Sequence, residues 1–394
     1  MNFYKNNFIY INILIYLILA LFFRFIIPGI DEPDWTLRIK KIILGHDDYS
    51  SFINKPLNLF SFFSKDYQEF FLTYDKCNLI DSPLKIWFSF SYFDCVDKLK
   101  IIFIKYFIFI VCFLPLFLAI LFQSQLQKIF KLNFKRINDN IELVSLCILF
   151  PAFIYSANFT SYETLCLFLA MVIFIFKESK EIILLIFSSI LLIDTGFFLI
   201  LLIYYIFLQF FLFLCVGKNL KIITLILISL TLVNLFTKNY NSAFLEYLPF
   251  IGEKIKSIND YTAVSGHSDK YFILIRPLTI FTGLIFMTAY KTKAVFLYFV
   301  FFIVFCNFLL KIKNKNILNN YEYRLNFLYF IATIFFITNI AIVFPVLSYA
   351  KYYIFIIPFI IKIFTNFYSI IKIRNFLLIS NIIVIAHFAL YYLF

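Results

Sequence analysis

The sequence predicts an all-α integral membrane protein of about 10 to 12 transmembrane helices, with two external loops that carry short interfacial helices. Three observations predict it. Of the 394 residues, 63% are hydrophobic and only 14% charged, and the mean hydropathy is +0.92; a soluble domain cannot hide that share of apolar side chains. Near-continuous apolar stretches recur along the chain, many reaching the roughly 20 residues that one crossing needs. The lysines and arginines behind the net charge of +13 fall mostly in short runs between those stretches. That is the positive-inside signature and not a nucleic-acid-binding face, so no nucleic-acid partner is expected. The same placement suits anionic headgroups, including those of phosphorylated lipid carriers.

The first apolar segment runs from Asn7 to Ile27. It is too long for a signal-peptide core and has no small-residue cleavage site, so it should remain as a helix, with Lys5 favouring a cytoplasmic N-terminus. A first large water-exposed loop follows over residues 28–100 and holds half of the chain's 22 acidic residues. Lys128, Lys131, Lys135 and Arg136 then mark a cytoplasmic turn, and Lys218 and Lys221 mark another. This places the first loop, and a second one over residues 237–270, on the outer side. Between them, Asp194 interrupts a long apolar run; Thr195-Gly196 behind it favours a tight turn. Lys291 and Lys293, then Lys311, Lys313, Lys315 and Arg324, lie one helix apart. Either residues 294–310 are re-entrant or one of these basic turns lies outside. No internal repeat, Gly/Ser linker or separate soluble domain is visible, so residues 1–394 read as one polytopic domain.

Candidate chemistry begins where the first helix ends, at Arg24-Phe-Ile-Ile-Pro-Gly-Ile-Asp31-Glu32. Carboxylates are costly in hydrocarbon and useful just outside it. Asp31-Glu-Pro-Asp34-Trp-Thr-Leu-Arg38 also reads as the start of a short interfacial helix, with Pro33 in its first turn, acids at its positive end and Trp35 as an anchor. The structural reading is a capped surface helix. The functional one is a carboxylate placed to take a proton from an acceptor hydroxyl. Residues 150–163 read as a polar hairpin between two apolar runs, and Glu163 opens the next helix, where an acid also favours the dipole. Arginine is scarce beside lysine here, and its planar fork grips phosphate in a way that lysine cannot. Arg24, Arg276 and Arg324 sit at ends of apolar segments, where snorkelling is the plain reading and phosphate binding the sharper one for Arg276 and Arg324. No metal-ligand spacing is present among the seven cysteines, and His46, His267 and His387 are far apart. Only Cys77 and Cys95 share a water-facing segment, which leaves a disulfide there open.

A first helix, a short approach to Asp31-Glu32, an external loop and many further helices resemble the GT-C membrane glycosyltransferases that use polyprenyl-phosphate-linked donors. The resemblance implies that Asp31 or Glu32 is the catalytic base. The two external loops and scattered arginines also look like the O-antigen and exopolysaccharide repeat-unit polymerases (Wzy and EpsG-like proteins). That likeness implies that Arg38 and Arg276 bind a pyrophosphate-linked glycan. Asp34, Glu163 and Arg324 complete the expected substrate-binding set.

The expectation that follows is a glycosyltransferase of the bacterial inner membrane, acting on lipid-linked sugars at the periplasmic face and most directly polymerising polysaccharide repeat units. One alternative is a transferase adding a single sugar from a polyprenyl-phosphate donor; another is a flippase or transporter of lipid-linked sugars. No cofactor is required, although a divalent metal assists some members of the class. A chain-length regulator or a flippase would be a natural partner. Transporters favour matched halves with Gly/Pro-broken helices, and seven glycines with one lopsided N-terminal loop argue against that class.

Overall fold

The computed structural model describes residues 2–26, 109–110, 112–157, 162–215, 220–247, 252, 256, 276–286, 295–314, 321–344 and 350–393. The loop over residues 28–100, with Cys77 and Cys95, lies outside them, as does most of the loop over residues 237–270. Among the described residues the regular structure is entirely helical. Three helices are long and apolar enough to cross a membrane, Gly196–Cys215, Tyr323–Val343 and Ile370–Phe388, or up to five if each of two bent pairs is one span. Other apolar helices, Asn7–Phe23 and Arg276–Phe286 among them, are shorter. The chain divides into two compact units, the first made of residues 1–198 and 378–394, the second of residues 199–377.

The first unit contains α1 (Asn2–Ile26), α2 (Cys112–Leu121), α3 (Gln123–Ile129), α4 (Phe134–Cys147), α5 (Pro151–Ala157), α6 (Tyr162–Ile175) and α7 (Lys180–Ile193). Its directions follow from paired contacts. Asn12 of α1 donates to Ser145 Oγ of α4 at 3.1 Å, and Tyr16, one turn on, meets Phe153 of α5 at a ring distance of 6.0 Å, so α1 runs alongside α4 in the same sense. Asn140 of α4 donates to the carbonyl of Ile175 at 3.1 Å, while Phe153 meets Phe168 at 5.7 Å, so α6 runs the opposite way. Tyr16, Phe109, Phe113, Phe153 and Phe168 form one buried aromatic cluster at the level where these helices cross.

Helix breaks divide the unit. α2 and α3 meet at 69°, and α4 and α5 at 80°. Pro151 explains the second bend: it has no N–H to give, and its ring clashes with a continuing helical turn, so the chain turns at residues 148–150 and Pro151 opens a new helix. Where the sequence reads a polar hairpin, the structure has α5 buried at every residue but one, because its apolar side chains pack inward. The bend strands the Leu149 carbonyl in a fully buried position, and Asn381 donates to it at 2.7 Å. Asn381 comes from α14 (Ile370–Leu393), whose residues from 378 onward belong to this unit.

Side-chain caps set the helix starts. Asn133 accepts from the backbone N–H groups of Lys135 and Arg136, opening α4. Ser179 accepts from Ile182 N–H and donates to Glu181, opening α7. Hydrogen bonds from the backbone and from Ser179 hold the exposed Glu181 carboxyl below its ordinary value. Asp194 makes the tight turn that the sequence predicts: its Oδ1 accepts from Gly196 and Phe197 N–H at 2.8 and 3.2 Å and so caps α8 (Thr195–Cys215).

The second unit holds most of α8 with α9 (Leu220–Glu246), α10 (Arg276–Phe286), α11 (Val295–Asn314), α12 (Tyr321–Val343), a 3-10 helix (Ala350–Ile356) and α13 (Ile357–Phe364). α9 continues about nine residues past the expected loop start, because the stretch from Thr237 to Glu246 contains neither glycine nor proline to stop it. α11 is a single unbroken helix of 20 residues, roughly 30 Å long at 1.5 Å per residue. Polar pairs fix the packing within the unit. Asn234 of α9 donates to Asn339 Oδ1 of α12 at 2.9 Å, and Tyr204 of α8 shares a 2.8 Å hydrogen bond with Thr333 of α12. The ring of Tyr204 is wholly buried against Phe336, Phe355 and Phe359.

Replacing Asn381 by Leu should lower stability by about 1–3 kcal/mol, because the buried Leu149 carbonyl loses a donor with no water to take its place. Tyr204→Phe, which removes one hydroxyl and keeps the ring, should cost about 1 kcal/mol. Thermal unfolding of the purified protein in neutral detergent measures both; an unchanged midpoint for Asn381→Leu would refute the first.

Candidate functional site

Glycosyl transfer from a lipid phosphate needs a carboxylate near the acceptor hydroxyl and a cation near the leaving phosphate. Asp31, Glu32, Asp34 and Arg38 lie outside the described residues, but the element that delivers them does not. From the aromatic cluster, α1 continues ten residues from Tyr16 to Ile26, roughly 15 Å, and α6 reaches back six residues from Phe168 to Tyr162, roughly 9 Å. With α1 and α6 antiparallel, the exit of α1 and the start of α6 lie at the same end of the first unit. Glu163 is the second residue of α6. The structure therefore brings the Glu163 position to the end from which the chain departs toward Asp31.

The other end of this unit is basic. Arg136 and Glu178 form an ion pair at 2.7 Å, which ties the start of α4 to the turn after α6. Lys128, Lys131, Lys135, Lys177 and Lys180 cluster in the same turns. The segment that the sequence marks as a basic turn is thus at the end opposite the Glu163 position.

Arg276 and Arg324 belong to the second unit. Arg276 is the first residue of α10, with Pro277 behind it, and it is only 3% exposed. Its guanidinium donates to the Ala341 carbonyl at 3.4 Å, in the last turn of α12. Carbonyls there lack helical partners and carry the negative end of the helix dipole, so a cation is favoured. This differs from snorkelling, since the guanidinium turns inward to the end of a neighbouring helix. Arg324 sits in the first turn of α12. Seventeen residues separate it from Ala341, roughly 25 Å along the helix. The two arginines are therefore alternatives as phosphate ligands and cannot close on one phosphate together. Arg276 is at the end of α12 opposite Arg324.

Among the described residues no group of three His, Cys, Asp or Glu side chains is placed to hold a metal ion. Cys112, Cys147, Cys166 and Cys215 are buried and Cys306 is half-buried, and none of the five is in a disulfide among the described residues. The polar residues that organise both units, Asn12, Asn140, Asn381, Asn234, Asn339 and Tyr204, are uncharged and do not stand out by charge in the sequence. Their signal was a lone amide or phenol inside an apolar run, where a polar group without a partner is costly.

Arg276→Leu should lower the unfolding temperature, because the end of α12 loses its cation, whereas Arg276→Lys should retain most of the stability and lose the planar fork. Equal melting temperatures for the wild type and Arg276→Leu would show that the guanidinium does not hold α12. No protein-family model, curated protein or solved structure matches the chain.

Proposed function

We propose that the chain is a multi-pass glycosyltransferase of the bacterial inner membrane, with about 10 to 12 helices and a cytoplasmic N-terminus. It acts on polyprenyl-phosphate- or pyrophosphate-linked sugars at the periplasmic face and polymerises O-antigen or exopolysaccharide repeat units. The observation that carries this reading is the polarity of the two units. In the first, the basic turns lie opposite the end shared by the exit of α1 and Glu163; in the second, Arg324 at the start of α12 lies opposite Arg276. The charge rule, applied to each unit separately, assigns both basic ends to the cytoplasm and the carboxylates and Arg276 to the outside.

In this scheme Asp31 or Glu32 takes the proton of the acceptor hydroxyl as the sugar is transferred. Glu163, Asp34 and Arg38 bind glycan, and Arg276 stabilises the departing phosphate. Substrate and membrane lipid are the partners, with a chain-length regulator or flippase alongside. Acids that directly follow a first helix also support the second reading, a GT-C enzyme that adds one sugar.

Asp31→Asn and Glu32→Gln should each reduce chain elongation, by about 10²–10⁴-fold for whichever residue is the base, without affecting membrane insertion. Normal long-chain polysaccharide from both variants would remove the catalytic role. In a deletion strain, accumulated single lipid-linked repeat units would identify the polymerase, whereas full-length chains lacking one branch would identify the single-sugar enzyme. In a Cys77→Ser, Cys95→Ser background, a membrane-impermeant thiol reagent applied from outside should label Tyr162→Cys and spare Lys131→Cys; the reverse pattern would place the acids in the cytosol and end the proposal.

A further inference from the structure

We infer that α3 and the turn after it form an amphipathic foot that seats the first unit on the anionic phosphodiester headgroups of one bilayer leaflet. This inference rests on the membrane reading above and adds a partner and a set of contact residues to it. The 69° bend at Phe122 turns α3 sharply away from the line of α2. At that corner Leu121, Phe122 and Ile129 are exposed apolar side chains, and Ile129 is 69% exposed. Lys128, Lys131 and Lys135 are exposed beside them, and no ion pair to any of the three is present among the described residues. A short helix with bare aliphatic groups next to lysines, turned across the end of an apolar helix, has the arrangement that lies in the headgroup region. Arg136, already paired with Glu178, fixes the neighbouring turn and leaves the three lysines to face outward.

Lys131 supplies an independent observation. It occupies the residue after the cap of α3 with φ 51°, and Leu132 N–H closes back onto the Gln127 carbonyl at 3.0 Å. Glycine is the residue that this left-handed position favours. A lysine there carries a conformational cost, and what it supplies in return is a positive charge at the tip of the turn. The partner is identified by complementarity: a fluid array of phosphodiesters above a hydrocarbon boundary satisfies both the lysines and the exposed Leu121, Phe122 and Ile129, whereas a free anion satisfies only the former.

The experiment uses the full chain purified in neutral detergent, titrated with phosphatidylglycerol or phosphatidylcholine of matched acyl chains, with thermal unfolding as the readout. Phosphatidylglycerol should stabilise at lower concentration than phosphatidylcholine. That preference should fall roughly fivefold per lysine in Lys128→Gln, Lys131→Gln and Lys135→Gln combined. The corresponding triple arginine variant should keep it, and about 1 M salt, with a screening length near 3 Å, should abolish it. Lys131→Gly should hold or raise the unfolding temperature while it weakens the preference, which separates charge from fold. Equal stabilisation by both lipids, a preference that survives in the triple glutamine variant, or the same shift from inorganic phosphate alone would each overturn the inference. Flotation with vesicles of phosphatidylcholine alone tests the underlying reading separately. A chain that floats there but shows no lipid preference leaves the membrane reading standing, and a chain that does not float removes both.

Discussion

The constraint on which the rest of the structure depends is that every helix break in an apolar bundle exposes backbone carbonyls that no water can reach. The chain breaks its helices often, at residues 122, 148–150, 176–179 and 194. At three helix ends a side chain is supplied from elsewhere. Asn381 serves Leu149, Asn140 serves Ile175 and Arg276 serves Ala341, while Asp194 and Ser179 cap the helices that start anew. These five interactions fix where the helices stop, and the stops determine which residues come to each end of a unit.

On the membrane reading proposed above, association between helices gains nothing from the hydrophobic effect, since the hydrocarbon is as apolar as a leucine side chain. Packing contacts and polar pairs must hold the elements together. The first unit relies on close aromatic contact around Tyr16 and Phe168. The second joins α9 to α12 through Asn234 and Asn339 and α8 to α12 through Tyr204 and Thr333, while much of the α9 surface, including Leu225, Val233 and Phe236, remains exposed. Each such pair contributes about 0.6 kcal/mol on average. Their value is partly in register, because a slip of one residue separates both members.

Composition and periodicity made the helical class legible, and the Asp194 turn could be read from Asp-Thr-Gly alone. The basic turn before α4 was legible too, since Lys128 to Arg136 announce themselves by charge. Other features were not. The segment from Pro151 to Ala157 looks like a connection because of its proline and tyrosine, yet its apolar side chains make it a buried helix. Arg276 reads as a snorkelling residue at a helix start; only the position of the end of α12, contributed by a segment 65 residues away, shows that the guanidinium turns inward. Asn381 is one amide in an apolar run, and nothing local indicates that its partner is Leu149. Contacts between distant segments depend on how helices pack, and a pattern read along one helix does not contain them.

The bond between Leu149 and Asn381 spans 232 residues of sequence. A ribosome completes the acceptor long before it makes the donor, and the whole second unit is translated in between. During that interval the corner between α4 and α5 has an unsatisfied carbonyl inside an otherwise finished unit. The first unit therefore completes its hydrogen bonding at that corner only once α14 has been made.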